Sequence, residues 1–244
     1  MEHEIWFTAI LNKLLGGVVT PLLAKIGHAP SDPLHPIPDY LAMEVLVILV
    51  VLVAAILLRR KLSLESPGKF QHAMEVFVEF TQNMVDENIG HEGHGYVPLL
   101  GTLGIFVLLC NLIGLIPTLQ TPTARIEVTF GCAMSAFIYY NYHGIREHGI
   151  VGYLKHLAGP VLWMSILMFP IEVVSNVFRL LSLSVRLYAN MFVGDVLEQV
   201  FTSLVPIGVP VVFSALHVFV SVLQAYIFML LPAIYLSLAV AEEH

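Results

Sequence analysis

Arg186 lies inside the stretch Glu172 to Glu198, EVVSNVFRLLSLSVRLYANMFVGDVLE, which is apolar enough for a membrane. An arginine keeps its proton in a protein. Placing one in hydrocarbon costs at least about 2.5–3.5 kcal/mol. Its chemistry is that of a fixed positive charge in need of a carboxylate. On a helix, the positions three and four away are Ser182, Leu183, Ala189 and Asn190, and none is acidic. Asp195 is nine residues on, about 180° around at 100° per residue, so it faces away. An unpaired buried charge is expensive. The partner of Arg186 is therefore expected on another subunit.

Other polar residues fall into two groups. Glu172, Arg179 and Arg186 are spaced by seven and share a face, as do Ser175 and Ser182, with Asn190 four beyond Arg186. Arg179 is expected to pair with Glu172 in a structural role. Further on, Ser214, His217, Ser221 and Gln224 also share one helical face. Counting outward from a turn near Pro206 sets Asp195 level with His217, and Arg186 level with Gln224. Histidine titrates near neutral pH, so an Asp195/His217 pair can relay protons. One polar zone then enters from the cytoplasm through Glu172, Ser175, Asn176 and Ser182. A second enters from outside through Asp195, His217 and Glu198. With Arg186 between them, they read as two half-channels that never join.

These residues need a membrane scaffold, and the composition supplies one. The 244-residue chain is 57% hydrophobic but only 12% charged, with mean hydropathy +0.83. That charged fraction is about half that of a soluble domain. Several uncharged runs near the length of a bilayer crossing indicate an all-α polytopic membrane protein. Alternating barrel strands are absent. So are phosphate-binding and dinucleotide glycine motifs, which leaves no nucleotide chemistry on this chain. It is not expected to be an enzyme on its own, nor to bind nucleic acid, a cofactor or a metal. Cys110 and Cys132 fall in apolar runs and read as packing residues.

The expected order has about five membrane-embedded helices and one surface helix. Residues 1–38 form an external arm, with a proline-rich linker through Pro30, Pro33, Pro36 and Pro38. Residues 39–244 form one membrane domain. A first span, 41–58, stops at Arg59-Arg60-Lys61. An amphipathic helix at 67–89 lies on the membrane surface. His91-Glu92-Gly93-His94 follows; it lacks the HExxH spacing of an α-helical metal site and reads as a polar loop. Residues 97–143 make a hairpin of two spans, with Gly101, Gly104 and Gly114 suited to close packing. A connector at 144–160 leads to a long hairpin at 161–241, whose arms exceed an upright crossing and must tilt or bend. Of the 11 Lys and Arg, Arg59, Arg60, Lys61, Lys69, Arg146 and Lys155 fall on one side. That bias sets the N-terminus outside and the C-terminus in the cytoplasm.

The run Arg186-Leu187-Tyr188-Ala189-Asn190-Met191-Phe192-Val193-Gly194-Asp195 resembles the core motif of subunit a of F-type ATP synthases. Leu223-Gln224-Ala225-Tyr226-Ile227-Phe228, with His217 seven before Gln224, is similar to that family's final helix. Asn111 to Pro117, Pro67-Gly68-Lys69 and Pro122-Thr123-Ala124 fit as well. The resemblance implies the ion-conducting stator of a rotary motor in the bacterial inner membrane. Its partners would be a c-subunit ring with buried carboxylates, the b-subunit peripheral stalk, the rest of the complex and the lipid bilayer. It makes Arg186 the essential stator arginine, with Asn190 and Gln224 on the same surface. Asp195 and His217 correspond to the outer channel, and Glu172 to the cytoplasmic one. Two departures stand out. Many members carry Glu at Asp195, and many carry Asp at Arg125, where Glu127 is a candidate to compensate.

Overall fold

The computed structural model describes residues 5–25, 36–63, 67–116, 118–158, 165–204 and 208–240. Pro30, Pro33, Ser66, Pro117 and the start of the long hairpin at 161–164 lie outside the described residues. Among those described, the regular elements are helices and no strand occurs. In chain order they are α1 (Trp6–Lys25), α2 (Asp39–Arg60), α3 (Lys69–Asn88), α4 (Val97–Leu112), α5 (Ile126–Ala158), α6 (Ser165–Leu204) and α7 (Val209–Val240). Short 3₁₀ turns at His91–Tyr96, Ile113–Leu115 and Pro122–Ala124 join the middle elements.

Among the described residues, four stretches are long and apolar enough to cross a membrane: Asp39–Arg60, Gly93–Leu115, Ile166–Leu204 and Val209–Val240. The fifth expected span, from Ala124 to His143, falls mostly in α5, which is not among these four and packs along α6 and α7. At 1.5 Å per residue, α6 is about 60 Å long, twice the hydrocarbon thickness. It therefore cannot stand upright in a bilayer. Its register fixes the depth of every polar group it carries.

The core forms where α4, α5, α6 and α7 meet. Val107, Ala133, Ala136, Leu183, Leu187, Met191 and Phe228 interlock there, each at most 3% exposed. Gly104 permits this closeness, since a Cβ at that position would stand 2.1 Å from Met229 Sδ. Cys110 and Cys132 are free and buried in the bundle. By contrast, α2 buries Ala42, Met43 and Val47 and turns apolar side chains such as Leu52, Val53 and Ile56 outward, as a lipid-facing helix should.

Two segments are tied down more closely than the sequence suggests. The surface arm begins as a helix that docks on the start of α2. Asn12 clamps it: its Nδ2 donates to the Ile37 carbonyl (3.3 Å) and its Oδ1 accepts from the Ile37 N–H (3.0 Å). The 144–160 connector is itself helical as far as Ala158, since no proline interrupts it before Pro160. It breaks at Gly149 (φ 69°, ψ 165°), where only glycine accepts the backbone comfortably. The broken end folds back. Tyr153 Oη donates to Asn141 Oδ1 (2.8 Å), Asn176 Nδ2 donates to the same oxygen (3.2 Å), and Tyr140 Oη donates to Asn176 Oδ1.

Candidate functional site

Helix α6 presents two different faces. Leu183, Ser184, Leu187 and Met191 are buried in the core, whereas Ser182, Arg186 and Asn190 are exposed. Apolar neighbours Phe178, Leu181, Val185 and Val193 share that exposure, with Leu216, Phe219 and Leu223 on α7. Arg186 makes no ion pair and no hydrogen bond among the described residues. Its charge therefore stands on an apolar surface that the described residues leave uncovered. Asn190, one turn on, donates from Nδ2 to Oε1 of the buried Gln224 (2.9 Å). Hydrogen bonding thus links α6 to α7 beside the arginine.

Toward the α6–α7 turn, three titratable groups converge. His217 is buried, and its Nδ1 lies 3.8 Å from Asp195 Oδ1 and 3.9 Å from Glu198 Oε2. Each acid has its own holder. Thr121 Oγ1 donates to Asp195 Oδ1 (3.2 Å), and Ser214 Oγ donates to Glu198 Oε1 (3.0 Å). His217 Nε2 lies 3.1 Å from the Asn111 backbone carbonyl. A carbonyl can only accept, so Nε2 donates in this contact, and Nδ1 is the nitrogen that faces the two acids.

Two separate cavities flank this cluster. The larger, about 800 Å³, is open and is lined by Asp195, Glu198, Tyr188 and Gln199 of α6, and by Thr121, Arg125 and Glu127. The smaller, about 280 Å³, lies between α6 and α7 and is lined by His217, Gly194 and Asn190. Asp195 lines only the first and His217 only the second, so their contact is the point where the two approach. Gly194 packs directly beneath the ring, where a Cβ would lie 3.4 Å from His217 Nδ1, in ordinary contact.

At the other end of α6, Arg179 Nη2 and Glu172 Oε1 are 3.1 Å apart, the pairing expected from their spacing. The same guanidinium lies over the Tyr235 ring of α7, 5.4 Å from its centroid. Ser175 is half-buried and Ser182 exposed, on the side of α6 that leads toward Arg186. Asn111 and Thr121 were not legible as site residues. Their contacts with α7 and α6 span 106 and 74 residues, beyond the reach of any periodicity.

Comparison with known proteins shows the family of the chain. The family model described as "ATP synthase A chain" matches residues 41–237. The chain belongs to this family. Every residue of the candidate site lies within the matched range. Among curated ATP synthase a subunits, that of Koribacter versatilis (strain Ellin345) is 48% identical over all of both chains. That of Solibacter usitatus (strain Ellin6076) is 45% identical, covering 96% of this chain and all of its own. That of Geotalea daltonii is 41% identical over all of both chains. As an ATP synthase A chain, this is a membrane protein of ATP synthesis and ion transport, and its polar groups must be judged in that setting.

Proposed function

We propose that the chain is the proton-conducting stator of a rotary F-type ATP synthase, working against a ring of c subunits. The observation that carries this reading is Arg186. It is permanently charged, set among exposed apolar side chains, and without a carboxylate among the described residues. A ring carboxylate passing this face would supply the missing counter-charge. The guanidinium favours the ionised carboxylate. An arriving ring site therefore gives up its proton, and one moving away takes a proton up again. Since Arg186 cannot itself relay a proton, none passes directly from one half-channel to the other, and ions must ride the ring.

The outer half-channel would be the large cavity leading to Asp195 and Glu198, then His217, then Asn190 and Gln224. Glu127 at the cavity mouth offers the acid that Arg125 does not. The cytoplasmic half-channel would run along Glu172, Ser175 and Ser182. An imidazole in the path suits a proton, which histidine can accept and pass on. The driving force is about 2.3 kcal/mol per charge per 100 mV. In this reading the chain holds no nucleotide and needs no cofactor. The b-subunit stalk holds it against the ring in a bacterial inner membrane, N-terminus outside and C-terminus in the cytoplasm. The test is Arg186→Ala in the assembled complex, with gradient-driven ATP synthesis measured in inverted vesicles. Synthesis should fall to background while the complex still assembles. Synthesis at the normal rate in that variant would refute the reading.

A further inference from the structure

We infer that Asp86, His91 and His94 form a divalent metal site of the zinc class that ties the end of α3 to the turn leading into α4. The three side chains approach from two elements. Asp86 sits in the last turn of α3, and both histidines lie on the 3₁₀ turn His91–Tyr96. His91 Nδ1 is 3.4 Å and His94 Nε2 is 3.2 Å from Asp86 Oδ1, and the three ligand atoms lie within 4.8 Å of one another. Zinc binds imidazole nitrogen and carboxylate oxygen at about 2.0–2.2 Å in a tetrahedron, whose vertices then stand about 3.3–3.5 Å apart. The spacing around Asp86 Oδ1 matches that edge. Asp86 Oδ1 is also shut off from solvent and accepts no hydrogen bond among the described residues. A buried acceptor left in this state is costly, and a bound cation would satisfy it.

The backbone explains why the ligands converge. A 3₁₀ helix has three residues per turn, so side chains at i and i+3 eclipse. His91 and His94 stand in that relation, and their rings are stacked 6° from parallel. The spacing therefore puts two ligands on one face here, although it would not match the zinc pattern of an α-helix. Gly90 (φ 93°) makes the corner after α3. Gly93 lets the turn lie directly on α3, since a Cβ there would come within 2.8 Å of Val85. The His91 side chain is 91% exposed and that of His94 is 48% exposed, which leaves the fourth vertex open to water. These residues lie apart from the proposed ion path, and the inference does not depend on it.

The test uses the assembled complex, purified without a polyhistidine tag and dialysed against micromolar zinc chloride. The His91→Ala/His94→Ala double variant should hold one zinc ion fewer per chain than the wild type. A His72→Ala control, altering an exposed histidine on α3, should lose none. Replacing zinc by Co²⁺ should give the visible bands of a four-coordinate ion in the wild type, reduced in Asp86→Asn and absent from the double variant. Both histidines are exposed enough to be replaced without unfolding the corner. Equal zinc content in wild type and double variant would overturn the site and leave the cluster as a histidine–aspartate ion pair.

Discussion

His217 Nε2 stands 3.1 Å from the backbone carbonyl of Asn111, across the interface between α7 and α4. Asn111 is wholly buried, so this carbonyl is a fixed anchor. The bond holds the ring in one orientation and keeps the hydrogen on Nε2, which leaves Nδ1 to face Asp195 and Glu198. The backbone of one helix thus orients the imidazole on another.

From this geometry we predict that His217→Gln separates position from proton affinity. A glutamine amide can still donate to the Asn111 carbonyl, but it offers no basic nitrogen. ATP-driven proton pumping should fall about 10²-fold or more, the usual worth of a placed acid–base group. Complex yield should stay normal. Pumping at the wild-type rate would remove His217 from the path.

The two acids at Nδ1 should back each other up. Asp195 Oδ1 and Glu198 Oε2 lie at 3.8 and 3.9 Å from the same nitrogen, on the same side of α6. We expect Asp195→Asn and Glu198→Gln each to slow pumping by less than about tenfold. The double variant should lose far more than the product of the two, since groups sharing one partner are not additive. Simple multiplicative losses would show that the acids act separately.

What the sequence disclosed about this site depended on the range of the contact. Asp195 and His217 could be set level by counting from the α6–α7 turn, because an antiparallel hairpin preserves that count. Glu172 and Arg179 could be paired because a spacing of seven returns a side chain to the same face. Thr121 and Asn111 carried no such mark, since they reach the site through the packing of α4 and its turn against α6 and α7. The Asp86 cluster was hidden for another reason. The α-helical rule was applied to His91 and His94, and the backbone there is 3₁₀. The helical connector after His148 was open to reading as a loop because a single glycine, Gly149, both breaks it and lets it resume.

The Asn190–Gln224 bond yields a stability prediction distinct from function. Gln224 is 1% exposed, and its Nε2 has no hydrogen-bond partner among the described residues. Asn190→Ala would strip the remaining bond from Oε1 and leave the amide wholly unpartnered. That costs about 1–3 kcal/mol, visible as earlier thermal unfolding of the detergent-solubilised complex. Asn190→Leu with Gln224→Leu should recover most of that stability, since apolar replacement of both partners is nearly neutral. Proton pumping should not recover with it. Recovery of both would mean that the pair only packs the helices.

Close packing between α4 and α7 supplies the last prediction. A Cβ at Gly104 would stand 2.1 Å from Met229 Sδ and 2.6 Å from its Cγ, so any side chain there must displace the methionine. Met229 is buried with Leu100 and Ala233, which leaves its thioether little room to move. Gly104→Val should therefore separate α4 from α7 and cost about 1–3 kcal/mol, the usual penalty of overpacking. His217 sits on the same α7 and takes its anchor from Asn111 of the same α4, so proton pumping should weaken too. Met229→Ala vacates the contested space. Combined with Gly104→Val, it should restore part of both stability and pumping. A double variant no better than Gly104→Val alone would show that the α4–α7 spacing is held by other contacts.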